Sequence, residues 1–444
     1  MKYVIIGGDA AGMSAAMQIT RKDPYADIVT LEKGGIYSYG QCGLPYVIGG
    51  LIESTDKLIA RSAETFRERY AIDARVHHEV TKVDPVKKTV SGVQTLTGES
   101  FSIDYDKLLI ATGASPYMPS WKGINKHNSY CLKTIPDAKR LQEVIEQGIR
   151  HVTIVGGGYI GLEMAENLKR RNIKVRMIQR SDYVANMFDK DMAMHIHEEA
   201  KKHDIELILN ENVTEVKGKD RATAIVTDKN EYPTDLVLVS VGVRPNTGFL
   251  IDTGIELKQN GAILVNEYLE TSLEDIYAAG DCATHYHIVK KQQDYIPLGT
   301  TANKQGRLAG MNMIGKKRTF KGITGTSILQ FMDVSAAITG LSEKAAKELE
   351  IPYQCVQIQS KDHAGYYPGA SPLHIKLIYQ KEDFLLLGAQ IIGEKGVDKR
   401  IDVLSTALFH EMSIEDLEDL DLSYAPPFNG VWDPLQQAAR RVSN

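Results

Sequence analysis

The sequence predicts an α/β fold with two strand–turn–helix–strand units, followed by a C-terminal α+β domain. Two observations predict the units: glycine-rich turns at residues 7–12 and 156–161 each follow a short apolar strand and precede a helical stretch. From about Thr319 the pattern changes to strands that alternate with short helices. Paired units of this kind are typical of Rossmann-like dinucleotide-binding domains.

Length and composition are those of a multidomain globular protein. A chain of 444 residues is too long to fold around one ordinary hydrophobic core. The net charge of -5 gives no electrostatic reason to expect that the protein binds nucleic acid. Gly7, Gly8 and Asp9 interrupt the first apolar run, which is too short for a signal peptide, and no stretch approaches the length of a membrane span. We therefore expect a cytoplasmic protein that binds neither nucleic acid nor membrane.

The first unit runs from a strand at residues 2–6 to a second strand at residues 26–31. Its pyrophosphate-binding turn comprises Gly7, Gly8, Ala10, Ala11 and Gly12. Glu32 stands 20 positions after Gly12, where an acid accepts hydrogen bonds from a ribose, and Lys33 follows it. Asp9 replaces the middle glycine, so we expect its carboxylate to point away from the phosphates.

Two later segments repeat the strand-to-turn pattern of this unit. One comprises Ala111, Thr112 and Gly113, and the other ends in Gly280 and Asp281. We expect Asp281 at a helix start, where its carboxylate holds a polyol hydroxyl.

The second unit has a glycine at every position of the dinucleotide fingerprint. Its predicted cofactor contacts are Gly156, Gly158, Tyr159, Ile160, Gly161 and, on the returning strand, Gly242. Gln179 occupies the ribose-reading position, and Arg180 follows it. A glutamine does not repel a 2′-phosphate and an arginine binds one, so the sequence predicts that NADPH is accepted alongside NADH. Glu163 either lies near the nicotinamide amide or is a partly buried helix residue.

Two bound dinucleotides indicate hydride or electron transfer between them. A single thiol, Cys42, lies in the segment 36–46 that follows the first unit. Cys131, Cys282 and Cys355 are distant in sequence and form neither a close cysteine pair nor a zinc spacing, so we interpret them as buried or incidental thiols. Disulfide chemistry at Cys42 therefore needs a thiol from another molecule, and we predict no metal site.

Taken in order, these motifs resemble those of the pyridine nucleotide–disulfide oxidoreductase family over the whole chain. The resemblance implies a glutathione reductase-like fold with an FAD-binding domain at 1–117 and 246–320. It also implies an NAD(P)H-binding domain at 118–245 and a dimerisation domain at 321–444.

The segment from Ser38 to Tyr46, with Cys42 followed by Gly-Leu-Pro, resembles the single-cysteine branch of that family. This branch contains coenzyme A disulfide reductases, NADH oxidases and NADH peroxidases. Ala10 stands where the oxidases and peroxidases carry a histidine, whereas Tyr367 and Tyr424 match two tyrosines of the coenzyme A disulfide reductases. The sequence is thus most similar to the last group.

The resemblance implies that NAD(P)H reduces FAD, which in turn reduces a mixed disulfide between Cys42 and coenzyme A. It also implies that Tyr424, the favoured proton donor, and Tyr367 reach Cys42 from the partner subunit of a homodimer. Implied substrate contacts are Ser14, Gln18, Arg21, Ser38, Gln41 and Asn303. The alternative interpretation of Ser14, Gln18 and Arg21 is a solvated helix face without a role in binding.

The mechanism requires a thiolate, so we expect the flavin and a helix N-terminus to lower the pKa of Cys42. Two alternative enzymes use the same residues: an NAD(P)H oxidase and a polysulfide or persulfide reductase. An alternative of another class is a redox-sensing flavoprotein that acts by binding a partner.

Overall fold

The structure is a computed structural model that describes residues 1–443. Its strands, in chain order, are β1 Lys2–Ile6, β2 Asp27–Leu31, β3 Asp73–Arg75, β4 His78–Asp84, β5 Thr89–Gln94, β6 Ser100–Asp104, β7 Lys107–Ile110, β8 Ala114–Pro116, β9 Ser129–Tyr130, β10 His151–Val155, β11 Lys174–Gln179, β12 Glu206–Leu209, β13 Val213–Lys217, β14 Ala224–Thr227, β15 Glu231–Pro233, β16 Leu236–Val239, β17 Val243–Pro245, β18 Ile276–Ala278, β19 His285–His287, β20 Gln292–Asp294, β21 Ser327–Phe331, β22 Val334–Gly340, β23 Tyr353–Lys361, β24 Pro372–Gln380 and β25 Leu386–Gly393.

The α-helices, in chain order, are α1 Ala10–Lys22, α2 Leu44–Ile48, α3 Ala63–Tyr70, α4 Ile135–Glu146, α5 Tyr159–Arg170, α6 Lys190–Lys202, α7 Gly299–Met313, α8 Glu343–Glu348, α9 Val397–Phe409, α10 Ile414–Glu418 and α11 Pro434–Ser443. Local sequence fixes two of their starts: Thr134 and Ser413 form capping boxes with Asp137 and Asp416.

A parallel sheet in the order β18-β7-β1-β2-β3 forms the centre of the first unit. Helices α1 and α7 pack against each other beside it. This contact requires glycine, because a Cβ at Gly306 would lie 2.1 Å from the carbonyl oxygen of Ala11. The close helix pair brings the start of α7 to the same edge of the sheet as the first glycine turn.

A second parallel sheet has the order β12-β11-β10-β16-β9. Strands β8 and β17 pair with each other where the chain passes between the two units. An antiparallel sheet in the order β21-β22-β25-β24-β23 forms the C-terminal module, against which α9 packs. The α/β fold class is as predicted. The residue limits of the domains remain a working proposal.

Some elements differ from the sequence expectation. Helices α7 and α11 and strand β21 were not predicted from the sequence. Asp281 lies in a turn and not at a helix start, so that expectation is wrong. The next helix, α7, begins only at Gly299, because the chain first forms the β19–β20 hairpin.

A buried lysine joins the second unit to the C-terminal module. Lys376 of β24 is 1% exposed, and its Nζ lies 2.7 Å from Asp191 Oδ2 and 3.3 Å from Asp189 Oδ2. It also bonds to Glu343 at the start of α8. Burial alone would lower the pKa of the Lys376 ammonium, but these carboxylates raise it above its ordinary value. The Lys376 ammonium therefore stays charged throughout neutral pH.

Replacing this lysine tests how much the cluster contributes to stability. We expect Lys376→Met to lower the free energy of unfolding by about 3–5 kcal/mol, because it leaves partly buried carboxylates without their counter-charge. Urea unfolding followed by circular dichroism measures the change. Lys344→Met is the control, since the Lys344 side chain is 72% exposed and should matter by less than about 1 kcal/mol. Equal effects of the two substitutions would contradict a stabilising cluster.

Candidate active site

The two glycine turns have the same geometry. Gly7 and Gly156 adopt φ values of 116° and 104°, which favour glycine. A Cβ at Gly7 would lie 2.1 Å from the carbonyl oxygen of Ala111, and a Cβ at Gly156 would lie 2.3 Å from that of Ser240. Each glycine therefore lets its turn approach the neighbouring strand end.

The helices that follow are suited to bind a pyrophosphate. A Cβ at Gly12 or at Gly161 would lie about 2 Å from the carbonyl oxygen of Gly7 or Gly156, so each helix can pack closely on its turn. Helices α1 and α5 have no side chain that caps their first N–H groups. Free N–H groups and the helix dipole attract phosphate oxygens, so both turns fit a dinucleotide.

Glu32 and Gln179 make equivalent contacts at the second strand of each unit. Glu32 Oε2 accepts a hydrogen bond from Gly8 N at 2.9 Å, and Gln179 Oε1 accepts one from Gly157 N at 3.1 Å. Gln179 Nε2 also donates to Ser181 Oγ at 2.7 Å. Gln179 therefore supports the turn as an acid would, but without a negative charge.

The charged neighbours of these residues differ in their environment. Lys33 lies 3.5 Å from Glu79 on the surface. Arg180 is exposed and forms no ion pair within the described residues. Its guanidinium therefore remains available beside the ribose-reading position.

Asp9 points away from the first glycine turn, as predicted. Its Oδ2 accepts a hydrogen bond from Gln41 Nε2 at 2.6 Å, and its Oδ1 accepts one from Tyr39 N at 3.3 Å. Ser38 N donates to the carbonyl oxygen of Gly8 at 2.9 Å. These bonds connect the cysteine segment to the glycine turn, so a nucleotide bound there lies next to that segment.

Cys42 is exposed and unpaired in the short helical turn Gln41–Gly43, directly before α2. Among the protein's own groups, burial contributes most to raising the pKa of this thiol, and Glu163 raises it further. Lys133 opposes them, while Asp281 acts with Glu163. The protein's own groups thus raise the pKa of Cys42, because desolvation outweighs the effect of the adjacent cation. Lowering of this pKa by a bound flavin and a helix N-terminus stays a prediction.

Glu163 lies on α5 and influences Cys42 through its charge. Burial, aided by Glu166, raises the pKa of Glu163 to about 7. Its charge therefore changes near neutral pH. Lys133, whose Nζ is 3.4 Å from Asp281 Oδ2, is a site residue that the sequence analysis missed. No motif surrounds it, so only the tertiary structure reveals it.

The predicted substrate contacts lie on α1 and α7. Ser14 Oγ donates to Asn303 Oδ1 at 2.8 Å, so the structure brings these two together. Gln18 is 5% exposed, whereas Arg21 is exposed. The alternative interpretation, in which this helix face is wholly solvated, is therefore wrong for Gln18.

The remaining turn residues are joined by long-range hydrogen bonds. Thr112 Oγ1 donates to the Asn246 carbonyl oxygen at 2.8 Å, between the first unit and the returning chain. Gly280 N donates to Gln305 Oε1 of α7 at 2.9 Å. Gly113 and Gly280 both have positive φ values.

Three predicted contacts of the second unit also have defined surroundings. Tyr159 Oη hydrogen-bonds to Ser327 Oγ of β21, which links α5 to the C-terminal module. Ile160 is half-buried beside it. The carbonyl oxygen of Gly242 accepts a hydrogen bond from Tyr117 N at 2.9 Å.

The predicted catalytic tyrosines lie on two neighbouring loops of the C-terminal module. Tyr424 Oη is 3.0 Å from Tyr366 Oη, a residue that the sequence analysis did not select. Tyr367 is 41% exposed and packs against His363. Within residues 1–443 neither Tyr367 nor Tyr424 hydrogen-bonds to Cys42, so one chain does not by itself bring the three together.

Comparison with protein families identifies the chain. Residues 1–306 match the model described as pyridine nucleotide-disulphide oxidoreductase, and residues 326–435 match the dimerisation domain of the same family. The chain therefore belongs to the pyridine nucleotide–disulfide oxidoreductase family. This membership confirms the predicted family resemblance and the predicted fold class. It also confirms the prediction of an oxidoreductase that uses FAD and NAD(P)H.

The chain is similar to proteins of related activity. It is 38% identical over 439 residues to the NAD(P)H sulfur oxidoreductase (CoA-dependent) of Pyrococcus abyssi. This match covers 98% of this chain and 97% of that protein. It is 34% identical over 431 residues to the coenzyme A disulfide reductase of Staphylococcus aureus. This second match covers 96% of each chain.

A solved structure has the same fold as this chain. An engineered water-forming NADPH oxidase bound to NADPH, made from the Lactobacillus brevis enzyme, matches with a TM-score of 0.96 and 29% identity. The match covers 100% of this chain and 98% of that one. No helix within residues 1–443 is long and apolar enough to cross a membrane.

Two substitutions with opposite charge effects test the surroundings of Cys42. We expect Glu163→Gln to speed alkylation of Cys42 severalfold above pH 7, because it removes a negative charge that raises the pKa of the thiol. Lys133→Met should slow alkylation, since it removes the opposing cation. Iodoacetamide rates measured by mass spectrometry on reduced holoprotein give both values.

The control for these rates is Lys139→Met, which removes an exposed lysine from α4. It should leave the rate unchanged. Changes in the same direction for Glu163→Gln and Lys133→Met would show that charge does not govern the reactivity of Cys42.

Proposed function

We propose that this protein is an FAD-dependent NAD(P)H:coenzyme A disulfide reductase that works through a mixed disulfide between Cys42 and coenzyme A. The observation that carries the proposal is the exposed, unpaired Cys42 beside the first glycine turn. Cys282 is buried and bonded to the Ile110 carbonyl oxygen, so it is no resolving partner. The second sulfur of the disulfide then comes from the substrate.

When bound, FAD supplies the transfer of two electrons from NAD(P)H to the disulfide. The chain's own residues bind and orient the reactants. The first glycine turn holds one dinucleotide, and its bonds through Asp9 place the cysteine segment next to it. Ser14, Asn303 and exposed Arg21 offer hydrogen bonds and positive charge to the ADP part of coenzyme A.

The homodimer completes the site in this proposal. Tyr367 and Tyr424 of one subunit reach Cys42 of the other, and one of them gives a proton to the departing coenzyme A sulfur. The match of residues 326–435 to the family's dimerisation domain supports this arrangement. The coenzyme A disulfide reductase and the CoA-dependent sulfur oxidoreductase among the relatives support the choice of substrate.

Acceptance of NADPH is part of the proposal. Gln179 keeps the turn contact without a negative charge, and Arg180 is available to a 2′-phosphate. In the engineered NADPH oxidase an Asp-Ala-Met run was changed to Ala-Arg-Ser. The present chain carries Gln179-Arg180-Ser181, which also pairs an uncharged residue with an arginine and a serine.

The covalent intermediate is tested by intact mass and turnover. We expect the native protein to lose one coenzyme A-sized adduct from Cys42 on treatment with dithiothreitol. Cys42→Ser should lack the adduct and lose about a hundredfold or more of kcat with coenzyme A disulfide, because the attacking thiolate is gone.

Cys355→Ser is the matched control, since Cys355 is the other exposed cysteine, and it should keep both adduct and turnover. Rapid turnover of polysulfide with none of coenzyme A disulfide would contradict the proposed substrate. NADPH consumption that depends on oxygen alone would indicate an oxidase instead.

The nucleotide preference is tested at Arg180. We expect Arg180→Ala to lower kcat/KM for NADPH about tenfold or more and to leave that for NADH nearly unchanged, because only NADPH carries the 2′-phosphate. Lys174→Ala, at the opposite end of β11, controls for general loss of positive charge. A strong preference of the wild type for NADH would contradict the proposal.

A further inference from the structure

Helices α1 and α7 lie side by side and run in the same direction. A Cβ at Gly306 would lie 2.1 Å from the carbonyl oxygen of Ala11, and one at Gly310 would lie 2.6 Å from that of Ala15. Because both contacts advance by four residues on each helix, the two helices stay together over at least one turn. We call their line of contact the α1–α7 groove. Along one side of it stand Ser14, Gln18 and Arg21 of α1 and Asn303 and Arg307 of α7.

Arg307 lies on the groove side of α7. Asn303 marks that side, because its Oδ1 accepts a hydrogen bond from Ser14 Oγ at 2.8 Å. Residues four apart lie on one face of a helix, so Arg307 follows Asn303 on that face by about 6 Å. Arg21 follows Ser14 by seven residues, which is about 10 Å along α1. Both arginines therefore extend the Ser14–Asn303 pair in the same direction.

We propose that Arg307 determines substrate specificity by binding, together with Arg21, the phosphates of the 3′-phosphorylated ADP part of coenzyme A in the α1–α7 groove. The inference rests on the proposed function, to which it adds a residue and a physical reason for the choice of coenzyme A. Arg307 was not selected from the sequence, because no motif surrounds it.

The two helices carry basic side chains and no acidic ones. Their sequences contain neither aspartate nor glutamate. Their basic residues, all of them exposed and without an ion pair within residues 1–443, are Arg21, Lys22, Lys304 and Arg307. Asp23, which follows α1, accepts a hydrogen bond from Tyr25 N at 3.2 Å. In a chain of net charge -5, this helix pair is a local cationic surface that attracts a polyanion.

Gln18 is an independent sign of a ligand in the groove. It stands between Ser14 and Arg21 on the groove side of α1, since steps of four and three residues keep to one face. Its side chain is 5% exposed and makes no hydrogen bond within residues 1–443. A largely buried amide without a partner forgoes its hydrogen bonds to water, which destabilises the fold. A phosphate or ribose group in the groove supplies the missing partner.

The spacing of the two arginines suits the chemistry of this ligand. A guanidinium can donate two parallel hydrogen bonds to one phosphate. The 3′-phosphorylated ADP part has a diphosphate and a separate monophosphate, so two cations at different heights of the groove can each bind a phosphate group. Both helices start at the sheet edge that carries the first glycine turn, next to the segment of Cys42. A molecule whose sulfur is at Cys42 can therefore place its phosphates along the groove.

Arg307→Met tests the inference by direct binding. We expect the Kd of 3′-phosphoadenosine 5′-diphosphate for the dithiothreitol-treated holoprotein to rise about tenfold or more, because a charge-assisted bond to phosphate is lost. Isothermal titration calorimetry measures this Kd. Arg307→Lys should keep part of the affinity, since it keeps the charge but not the paired donors.

Lys304→Met is the matched control for lost charge. Lys304 is an exposed cation on the same helix, but it is turned by about 100° from Asn303 and hence away from the groove. We expect it to change the Kd of the nucleotide less than twofold. The thermal midpoints of both methionine variants should stay near that of the wild type.

Turnover distinguishes phosphate binding from a structural role of Arg307. Arg307→Met should raise KM for coenzyme A disulfide about tenfold and leave kcat near that of the wild type, because the phosphates are remote from the reacting sulfurs. Pantetheine disulfide has the same sulfur-bearing arm but no ADP part. Its kcat/KM should differ between Arg307→Met and the wild type by less than twofold.

An unchanged nucleotide Kd in Arg307→Met, or an equal change in Lys304→Met, would overturn the inference and leave the proposed function intact. Equal losses of kcat/KM with both disulfides would also overturn it, since they would show a structural role. Arg307-dependent binding of the nucleotide by a wild type that does not reduce coenzyme A disulfide would support the binding site and contradict the proposed function.

Discussion

The site depends on the hydrogen bonds that connect the first glycine turn to the segment carrying Cys42. Gly8 accepts from the Ser38 amide, and Asp9 accepts from the Tyr39 amide and the Gln41 side chain. An acid in a phosphate-binding turn would repel its ligand, and here the contacts turn that acid toward the cysteine segment. Burial raises the pKa of Asp9, and these hydrogen bonds act against the increase. One turn therefore shapes both the nucleotide site and the position of the thiol.

The two dinucleotide units show how one geometry serves two ligands. Gly7 and Gly156 approach their neighbouring strands equally closely, and Glu32 and Gln179 accept the same turn N–H. The units differ in charge at that contact and not in shape. Under the proposed acceptance of NADPH, selection between phosphorylated and unphosphorylated ribose rests on charge and not on the shape of the backbone.

Much of the fold was predictable because glycine spacing and apolar strands are local features. The outward direction of Asp9 followed from charge alone. Lys133 beside Asp281 and the pairing of Tyr366 with Tyr424 were not predictable, since each depends on contacts between distant segments. The expected helix at Asp281 failed because a hairpin intervenes before α7, and the pattern of a strand followed by Gly-Asp does not distinguish the two.

The Lys376 cluster limits how the modules of this protein can be recombined. Its lysine lies in the C-terminal sheet, and two of its acids, Asp189 and Asp191, lie at the start of α6 in the second unit. A chimaera whose C-terminal module lacks a cation at the position of Lys376 would leave Asp189 and Asp191 without their counter-charge. The two modules must therefore carry matching charges at this contact. This requirement limits the positions at which the chain can be joined to that of another protein and still fold.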